Sequence, residues 1–362
     1  MNVEGSSITP ISVSTPNAVN SCAANSVTGK VVCTANNTDV YLFSGTSFSI
    51  LTSVGGGPGQ IGFSGGNCIN CNVAMDAVHN KAVIGLSIGG TASAFPPDGV
   101  PGFQVLDLGT STFGIAFPSP AGEISEGPMV DPTRNVLLSA DENGVFEIID
   151  LSTSPPSSHV NTAPVSTGGL ELDSTAEDCS TAIALAPGEF SSPSQVFIAD
   201  LTQATLATGT WTAPALASQV QTLSESLLSA GASGIAVAQG THTGVITGEF
   251  GGDAVTAIKL PATSGSGTPA IIDWVTCEIG NSFNNGLDPH TVTAYQSPNT
   301  GDAIALLANG DFAVPTMLAV IDLTKMLDPT IVPRTPGGHG CLLPGPNPTD
   351  LPAAVVSFIA VP

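Results

Sequence analysis

A short apolar motif that ends in Asp-Leu and a small residue recurs along the chain and limits its fold more than any other feature. Four copies carry it in full: Phe103–Gly109, Phe146–Ser152, Val196–Thr202 and Leu318–Thr324. Val40–Thr46 and Val255–Pro261 are degenerate copies. Counted at the Asp position, successive copies lie about 43 to 63 residues apart. That spacing is typical of repeats built from four short strands.

Turn residues divide each repeat into strands. Between Glu126 and Ser152, the turns Asp131–Asn135 and Asp141–Gly144 separate three apolar segments. Asp, Asn, Pro and Gly favour tight turns, whereas β-branched and large apolar residues favour strands. More variable apolar segments follow the motif copies and supply fourth strands. The sequence therefore predicts an all-β protein, a six-bladed β-propeller with four-stranded antiparallel blades.

We expect residues 1–362 to form a single propeller domain. Its blades are predicted at approximately 17–54, 68–118, 123–164, 166–215, 230–278 and 286–362. A terminal strand is expected to close the ring and protect the last open edge, with Ala353–Val361 and Ile8–Val13 as competing candidates. The alternatives are a seventh blade, in Gln203–Ser229 or Thr335–Pro362, and a two-domain β-sandwich.

The strand predictions are specific enough to be checked one by one. The inner strand of the fourth blade is predicted at Gly169–Asp173. The outer strands of the third and fourth blades are predicted at His159–Asn161 and Thr210–Thr212. The sixth blade has no obvious outer strand directly after Thr324, which is why a terminal strand is needed there.

The charge balance excludes several classes of partner. Six Lys and Arg face 29 Asp and Glu, for a net charge of −23. Nucleic acid and anionic membrane surfaces both require basic contacts that this chain lacks, whereas basic proteins and small neutral or cationic ligands remain compatible. No run of 18 apolar residues predicts a membrane span. Few basic residues and seven Cys predict an extracellular or periplasmic protein whose signal peptide is absent from this sequence.

Propeller topology predicts that the charges are separated between two faces. The loops between second and third strands, and between blades, lie on one face and carry Asp and Glu without Lys or Arg. Lys30, Lys81 and Arg134 fall in the turns between first and second strands, and Lys259 and Lys325 fall at third-strand ends. Those positions belong to the opposite face. We therefore predict one purely acidic face, with a field that attracts cations.

A metal site is predicted where the inner strands begin, at the channel mouth on the acidic face. The residues expected there are Glu126, Asn20, Asn72 and His290, with Asp288 nearby. Oxygen ligands suit Ca²⁺, and His290 favours another divalent cation from the transition series. In the predicted alignment no other blade places a carboxylate at the position of Glu126.

The repeat pattern resembles the YVTN and NHL-type β-propellers. In addition, Glu126–Pro128 followed by Asp131 is similar to the Glu-Gly-Pro segment of the gluconolactonase and senescence-marker propellers. The resemblance implies that Glu126 is a metal ligand at the channel mouth, and a similar Asn-Gly segment implies the same for Asn285. The segment opens the third blade rather than the first, and Val130 stands where that family has Trp.

The seven Cys are expected to be largely structural. Asn72 rather than His follows Cys68–Cys71, so no haem attachment motif is present, and a lone CxxC does not make a four-Cys zinc site. Sequence motifs for nucleotide binding are also absent. Cys179 is predicted to be the free thiol, and the disulfide candidates are Cys22 with Cys33, Cys277 with Cys341, and Cys68 and Cys71.

The repeated Asp of the motif is expected to be structural, because a carboxylate at a strand end accepts backbone N–H bonds in the following turn. This applies to Asp107, Asp150, Asp200 and Asp322. The sequence thus favours an exported binding or interaction module for an unknown ligand over an enzyme. The alternatives are a metal-dependent, lactonase-like hydrolase that uses Glu126, and a structural subunit joined to its neighbours by terminal strand exchange.

Overall fold

The structure is a computed structural model, and it describes most of the chain between residues 13 and 343. The described residues are 13–17, 19–35, 39–51, 72–86, 102–114, 117–119, 127–152, 165–167, 169–189, 191, 193–203, 217–223, 232–248, 254–265, 267–279, 291–308, 318–331 and 338–343. None of the helices within these residues is long and apolar enough to cross a membrane.

Six small sheets form the blades of a β-propeller, as predicted. The first three sheets follow the chain in simple antiparallel order. The first contains β1 (Val19–Ala24), β2 (Lys30–Ala35), β3 (Val40–Ser44) and β4 (Ser47–Ile50). The second contains β5 (Val73–Asp76), β6 (Lys81–Leu86), β7 (Gly102–Asp107), β8 (Thr112–Phe113) and β9 (Phe117–Pro118). The third contains β10 (Met129–Asp131), β11 (Val136–Asp141), β12 (Val145–Asp150) and β13 (Val165–Ser166).

The remaining three sheets complete the ring. The fourth contains β14 (Ala176–Asp178), β15 (Ile183–Pro187), β16 (Gln195–Asp200) and β17 (Ser218–Thr222). The fifth contains β18 (Ala232–Ala238), β19 (Thr243–Gly248), β20 (Ala254–Lys259), β21 (Asp273–Ile279) and β25 (Gly338–Leu343). The sixth contains β22 (Thr291–Gln296), β23 (Ala303–Ala308) and β24 (Leu318–Asp322), after which α1 (Leu323–Leu327) begins.

The outer strand of the third blade was predicted wrongly, and so were two strands of the fourth blade. The inner strand of the fourth blade is β14, several residues beyond the predicted Gly169–Asp173, and its outer strand is β17 rather than Thr210–Thr212. Residues 210–212 lie outside the described residues. Because β17 comes from the segment considered for a seventh blade, that segment instead completes the fourth. In the third blade β13 pairs with β12, whereas the predicted His159–Asn161 lies outside the described residues.

A common hairpin between the first and second strands sets the register of all six blades. In five blades a side-chain oxygen at the end of the inner strand accepts bonds from the N–H groups of residues two or three positions further along the chain. The accepting residues are Asn25, Asp76, Asp131, Asp178 and Ser297. Four residues after this position, and after Ala238 in the fifth blade, the backbone is left-handed, at Gly29, Asn80, Asn135, Ala182, His242 and Gly301. Short polar side chains and Gly are suited to these two positions.

The core is a series of layers between neighbouring blades. Alternate residues of a strand face opposite neighbours, so that Val136, Leu138 and Ala140 pack towards the fourth blade while Leu137 packs towards the second. Equivalent clusters join the first blade to the second, the fourth to the fifth and the fifth to the sixth. A blade with a neighbour on each side is covered on both faces, so its central strands carry apolar residues on both faces.

The C-terminal region contributes differently from the prediction. β25 adds to the fifth blade as a strand parallel to β21, instead of joining the sixth. The two candidates for ring closure, Ala353–Val361 and Ile8–Val13, lie outside the described residues apart from Val13. α1 was not predicted, and Asp322 caps its first turn by accepting a bond from Lys325 N at 2.9 Å.

The cysteine predictions agree with the structure where it describes them. Cys22 and Cys33 form a disulfide across the first hairpin, and Cys179 is free. Cys277 is also disulfide-bonded, and the register of β21 and β25 places it opposite Cys341. A bond between those two residues stays a prediction, as does any pairing of Cys68 and Cys71, which lie outside the described residues.

Truncation of a ring in an interblade core will test this packing. The fully buried Phe146 packs against Phe197 of the next blade at a centroid distance of 5.1 Å, with the two rings tilted. Phe146→Ala is expected to lower the free energy of unfolding by about 3 to 5 kcal/mol, measured by urea denaturation, because it leaves a cavity. Val78→Ala, at a side chain 69% exposed, is the control and is expected to change it by less than about 0.5 kcal/mol. Equal losses would contradict the blade assignment.

Candidate functional site

A central channel of about 360 Å³ is the site around which all six blades meet. In each of the first four blades the same four inner-strand residues line it, those directly before the hairpin cap. They are 21–24, 72–75, 127–130 and 174–177, joined by residues 235–237, 239 and 292–294 of the last two blades. These side chains are mostly small or apolar. The channel therefore offers few groups that can bind or react.

The predicted metal residues are only partly described. Asn72 is buried and lines the channel, next to the start of β5. Asn20 lies within β1, whereas Glu126, Asp288 and His290 lie outside the described residues, as does Asn285. Gly127 and Pro128, which follow Glu126, line the channel. The metal site at this mouth remains a prediction.

From the sequence, Glu126 was expected to be the one carboxylate at its position in the repeat. The structure contradicts this expectation. Gly127 forms a bridge with Ser174 of the fourth blade, so the residue before Ser174 matches the residue before Gly127. That residue is Asp173, which is buried. The fourth blade thus also places a carboxylate at the position of Glu126. The error arose because the predicted inner strand ended at Asp173 instead of beginning after it.

A different group of polar residues lies at the other mouth of the channel, where the inner strands end. Glu177 is the last channel-lining residue of its blade, where the corresponding residues are Ala24, Met75, Val130 and Val237. It is fully buried. Arg134 Nη1 lies 3.3 Å from Glu177 Oε1 and donates a 2.7 Å bond to Asp131 Oδ2. The guanidinium therefore joins the third blade to the fourth.

Cys179 completes this group, which we call the turn-mouth cluster: Asp131, Arg134, Glu177 and Cys179. One ligand atom from each of Asp131, Glu177 and Cys179 lies within 4.8 Å of the others. Among the described residues, this is the one such grouping of three Asp, Glu, His or Cys side chains. A repeat alignment based on the hairpin cap, which matches Asp178 to Asp131, would have exposed Glu177 as an isolated charged position.

Burial controls the protonation of the turn-mouth cluster. Burial, reinforced by the negative charge of Asp131 and opposed by Arg134, raises the pKa of Glu177 to about 8. Burial, with the charge of Glu177, raises the pKa of the Cys179 thiol well above its usual range. At neutral pH Glu177 is therefore largely protonated and Cys179 is a thiol. A protonated thiol is a poor nucleophile, so this cysteine is not prepared for covalent catalysis.

The fifth blade is tied to the same hairpin of the fourth. His242 Nδ1 lies 2.6 Å from Asp178 Oδ2, and the Gln239 side chain accepts a bond from Cys179 N and donates one to Glu177 O. Burial acts to raise the pKa of Asp178, but bonds from Ser180 and His242 outweigh it and hold that pKa below its usual value. These contacts are structural, since every polar group named here is engaged by a neighbour.

The motif carboxylates have the structural role that was predicted. Asp107 accepts bonds from the N–H groups of Gly109 and Thr110, and Asp150 accepts one from Ser152 N. Asp200 accepts bonds from Thr202 N and from Gly265 N. Each of these carboxylates closes the turn after its strand, and Asp322 does so at the start of α1.

The described Lys and Arg lie on one face only, whereas Asp and Glu occur on both faces. The loop face, formed by the β2–β3, β11–β12 and β15–β16 loops and the β13–β14 connection, carries Asp39, Asp141, Glu142, Glu189 and Glu171. The turn face carries the first hairpin turns and the third-strand ends, with Lys30, Lys81, Arg134, Lys259 and Lys325. Within the described residues no Lys or Arg lies on the loop face. Arg334 is outside them.

The raised pKa of Glu177 gives a stability that depends on pH. The folded chain keeps the proton up to about pH 8, whereas the unfolded chain loses it near the ordinary value of 4.5. Neutral Glu177 therefore contributes stability that is complete below pH 4.5 and is lost as the pH rises through 8. Relative to Glu177→Gln, the free energy of unfolding should fall by roughly 1 kcal/mol per pH unit across this window.

Urea unfolding over a pH series, in a buffer that contains a chelator, will measure this difference. Glu142→Gln, the same change at an exposed carboxylate, is the control for the chemistry of the substitution. If wild type and Glu177→Gln show parallel pH profiles, the burial of a protonated Glu177 is contradicted.

Comparison with known proteins identifies the fold and nothing narrower. No protein-family model matches the chain, and no curated protein matches it. Among solved structures, that of U3-55K is similar with a TM-score of 0.53, at 9% identity over 84% of this chain and 78% of the other. A chain of the mitotic checkpoint complex has a TM-score of 0.52, at 11% identity over 83% and 72%. At such identities the similarity concerns the β-propeller fold alone.

Proposed function

We propose that this protein is a binding module that uses its loop face to recognise a basic partner protein. The observation that carries the proposal is the distribution of basic residues: all five described Lys and Arg lie on the turn face. Within the described residues, the negative charges of the loop face are therefore not neutralised by a neighbouring Lys or Arg. A surface of one sign attracts an oppositely charged partner and accelerates its association.

The exposure and the hydrogen bonds of the individual carboxylates support binding at the loop face. Glu142 and Glu171 are exposed, and Asp39 is half-buried and accepts a bond from Asn17 Nδ2 at 2.9 Å. By contrast, the carboxylates at the strand ends of the turn face accept backbone bonds or pair with Arg134 and His242. Binding capacity thus remains mainly on the loop face. Another propeller of this fold is a component of the mitotic checkpoint complex, which agrees with a role in assembly.

The compartment is part of the proposal. The Cys22–Cys33 disulfide and the disulfide-bonded Cys277 support an extracellular or periplasmic location, because thiols there are kept oxidised. With a net charge of −23 the protein repels nucleic acid and anionic membrane surfaces. The partner is accordingly sought among exported proteins.

A metal-dependent, lactonase-like hydrolase is the second candidate. One observation favours it: Gly127 and Pro128, the remainder of the Glu126–Pro128 segment, line the channel together with Asn72. Elemental analysis and thermal melts with and without a chelator separate the two functions when they are made on Cys179→Ser, because this variant removes the thiol of the turn-mouth cluster. A melt that the chelator does not change, on protein without bound metal, removes the hydrolase and leaves the binding module.

A fluorescent oligolysine peptide is a defined probe for the proposed surface. Fluorescence anisotropy is expected to show binding that weakens steeply with added salt, because the Debye length shortens, and no binding of an oligoglutamate of equal length. The double variant Glu142→Gln, Glu171→Gln should weaken binding by about 3- to 10-fold, as expected for two rim charges of up to about 0.7 kcal/mol each.

The matched control removes the same number of charges from the turn face. Asp302 and Asp328 are partly exposed there, so Asp302→Asn, Asp328→Asn gives an equal change of net charge. This variant should bind the peptide nearly as well as the wild type. Equal weakening by both pairs would show that only net charge matters, and the loop face would lose its assigned role.

A further inference from the structure

The turn-mouth cluster has the composition of a metal site, and this is independent of the function proposed above. Asp131 lies at the end of β10, Glu177 lies within β14, and Cys179 follows in the next turn. Their carboxylate and thiol atoms lie within 4.8 Å of one another. Tetrahedral zinc with the usual bond lengths separates its ligands by about 3.5 Å, so a closure of about 1 Å brings these three atoms into range.

A second observation points to a ligand at the same place. Glu177 is fully buried, and its Oε2 atom has no hydrogen-bond partner among the described residues. Buried carboxylate oxygens nearly always have a partner, because their removal from water is costly. Arg134 contacts the other oxygen, Oε1, and therefore does not satisfy this one. Oε2 remains available to a ligand at the channel mouth.

We propose that Asp131, Glu177 and Cys179 bind one thiophilic divalent cation of the zinc class at the turn-face mouth of the channel. The sulfur ligand sets the metal class, since Ca²⁺ and Mg²⁺ prefer an all-oxygen shell. Three protein ligands leave a fourth position for water. This site lies at the opposite end of the inner strands from the one predicted around Glu126.

Arg134 is the competitor of the cation. Its guanidinium holds the same two carboxylates, at 2.7 Å from Asp131 Oδ2 and 3.3 Å from Glu177 Oε1. The Arg134 side chain is 28% exposed, whereas both carboxylate side chains are fully buried. The long side chain can therefore turn into solvent when a divalent cation replaces its charge. The Asp131 carboxylate stays fixed by bonds from the N–H groups of Thr133 and Arg134.

Titration with Cd²⁺ at one fixed pH will test the site, because a cadmium–thiolate bond gives an ultraviolet charge-transfer band. The wild type should show one saturable equivalent that Zn²⁺ displaces and Ca²⁺ does not. Cys179→Ser should lose the band, and Glu177→Gln should weaken binding by at least about 10-fold, as expected when a contact of the metal site is lost. Arg134→Gln should bind Cd²⁺ more tightly than the wild type.

The double variant Cys68→Ser, Cys71→Ser is the matched control, because it removes the two cysteines of the CxxC segment and leaves the turn-mouth cluster unchanged. The band should persist in it. A band that is lost in this variant and retained in Cys179→Ser would place the cation at the CxxC segment and overturn the proposal. Absence of any band in the folded wild type would also overturn it. Circular dichroism of every variant establishes that the fold is kept.

Discussion

Packing between neighbouring blades is the interaction on which the rest of this structure depends. The third blade, for example, packs against a neighbour on each face, so alternate residues of one of its strands belong to two different cores. Loss of one buried ring therefore loosens two blades together. The arrangement also fixes the channel, because the inner strands can meet at the axis only when the blades are held at constant spacing. The ring thus depends on apolar contact, and its polar groups serve mainly to hold the turns and clamp one blade to the next.

The polar clamps are concentrated on the turn face. Asn25 bonds to Asn80 of the second blade, Arg134 reaches the fourth blade, and His242 reaches it from the fifth. Several charged residues of this strongly acidic chain thus have a structural role at the contacts between blades. The turn-mouth cluster around Glu177 contains more polar atoms than are needed to join the third blade to the fourth. That surplus is the physical basis of the proposed cation site.

Much of the fold could be predicted from sequence, and the reason is the repeat. The motif ending at Asp107, Asp150, Asp200 and Asp322 marks third strands that the structure contains, and these carboxylates do cap turns. The fourth blade was misplaced because a Gly169–Asp173 segment precedes the true inner strand and looks similar in composition. Without the register of the hairpin, the residues around these two segments did not show which of them was the inner strand.

The residues alone were enough to predict most of the strands, a propeller of six blades as the first choice, the charge balance and the Cys22–Cys33 pairing, because each depends on local spacing or on composition. The side chains that share the channel mouth could be identified only from the packing of the blades. Asp131 and Glu177 are far apart in the chain, and neither shows from its neighbours that it is buried beside the other. Their proximity arises from the stacking of two blades at the axis, and burial then raises the pKa of Glu177. Such a site is a property of the ring and not of any one repeat.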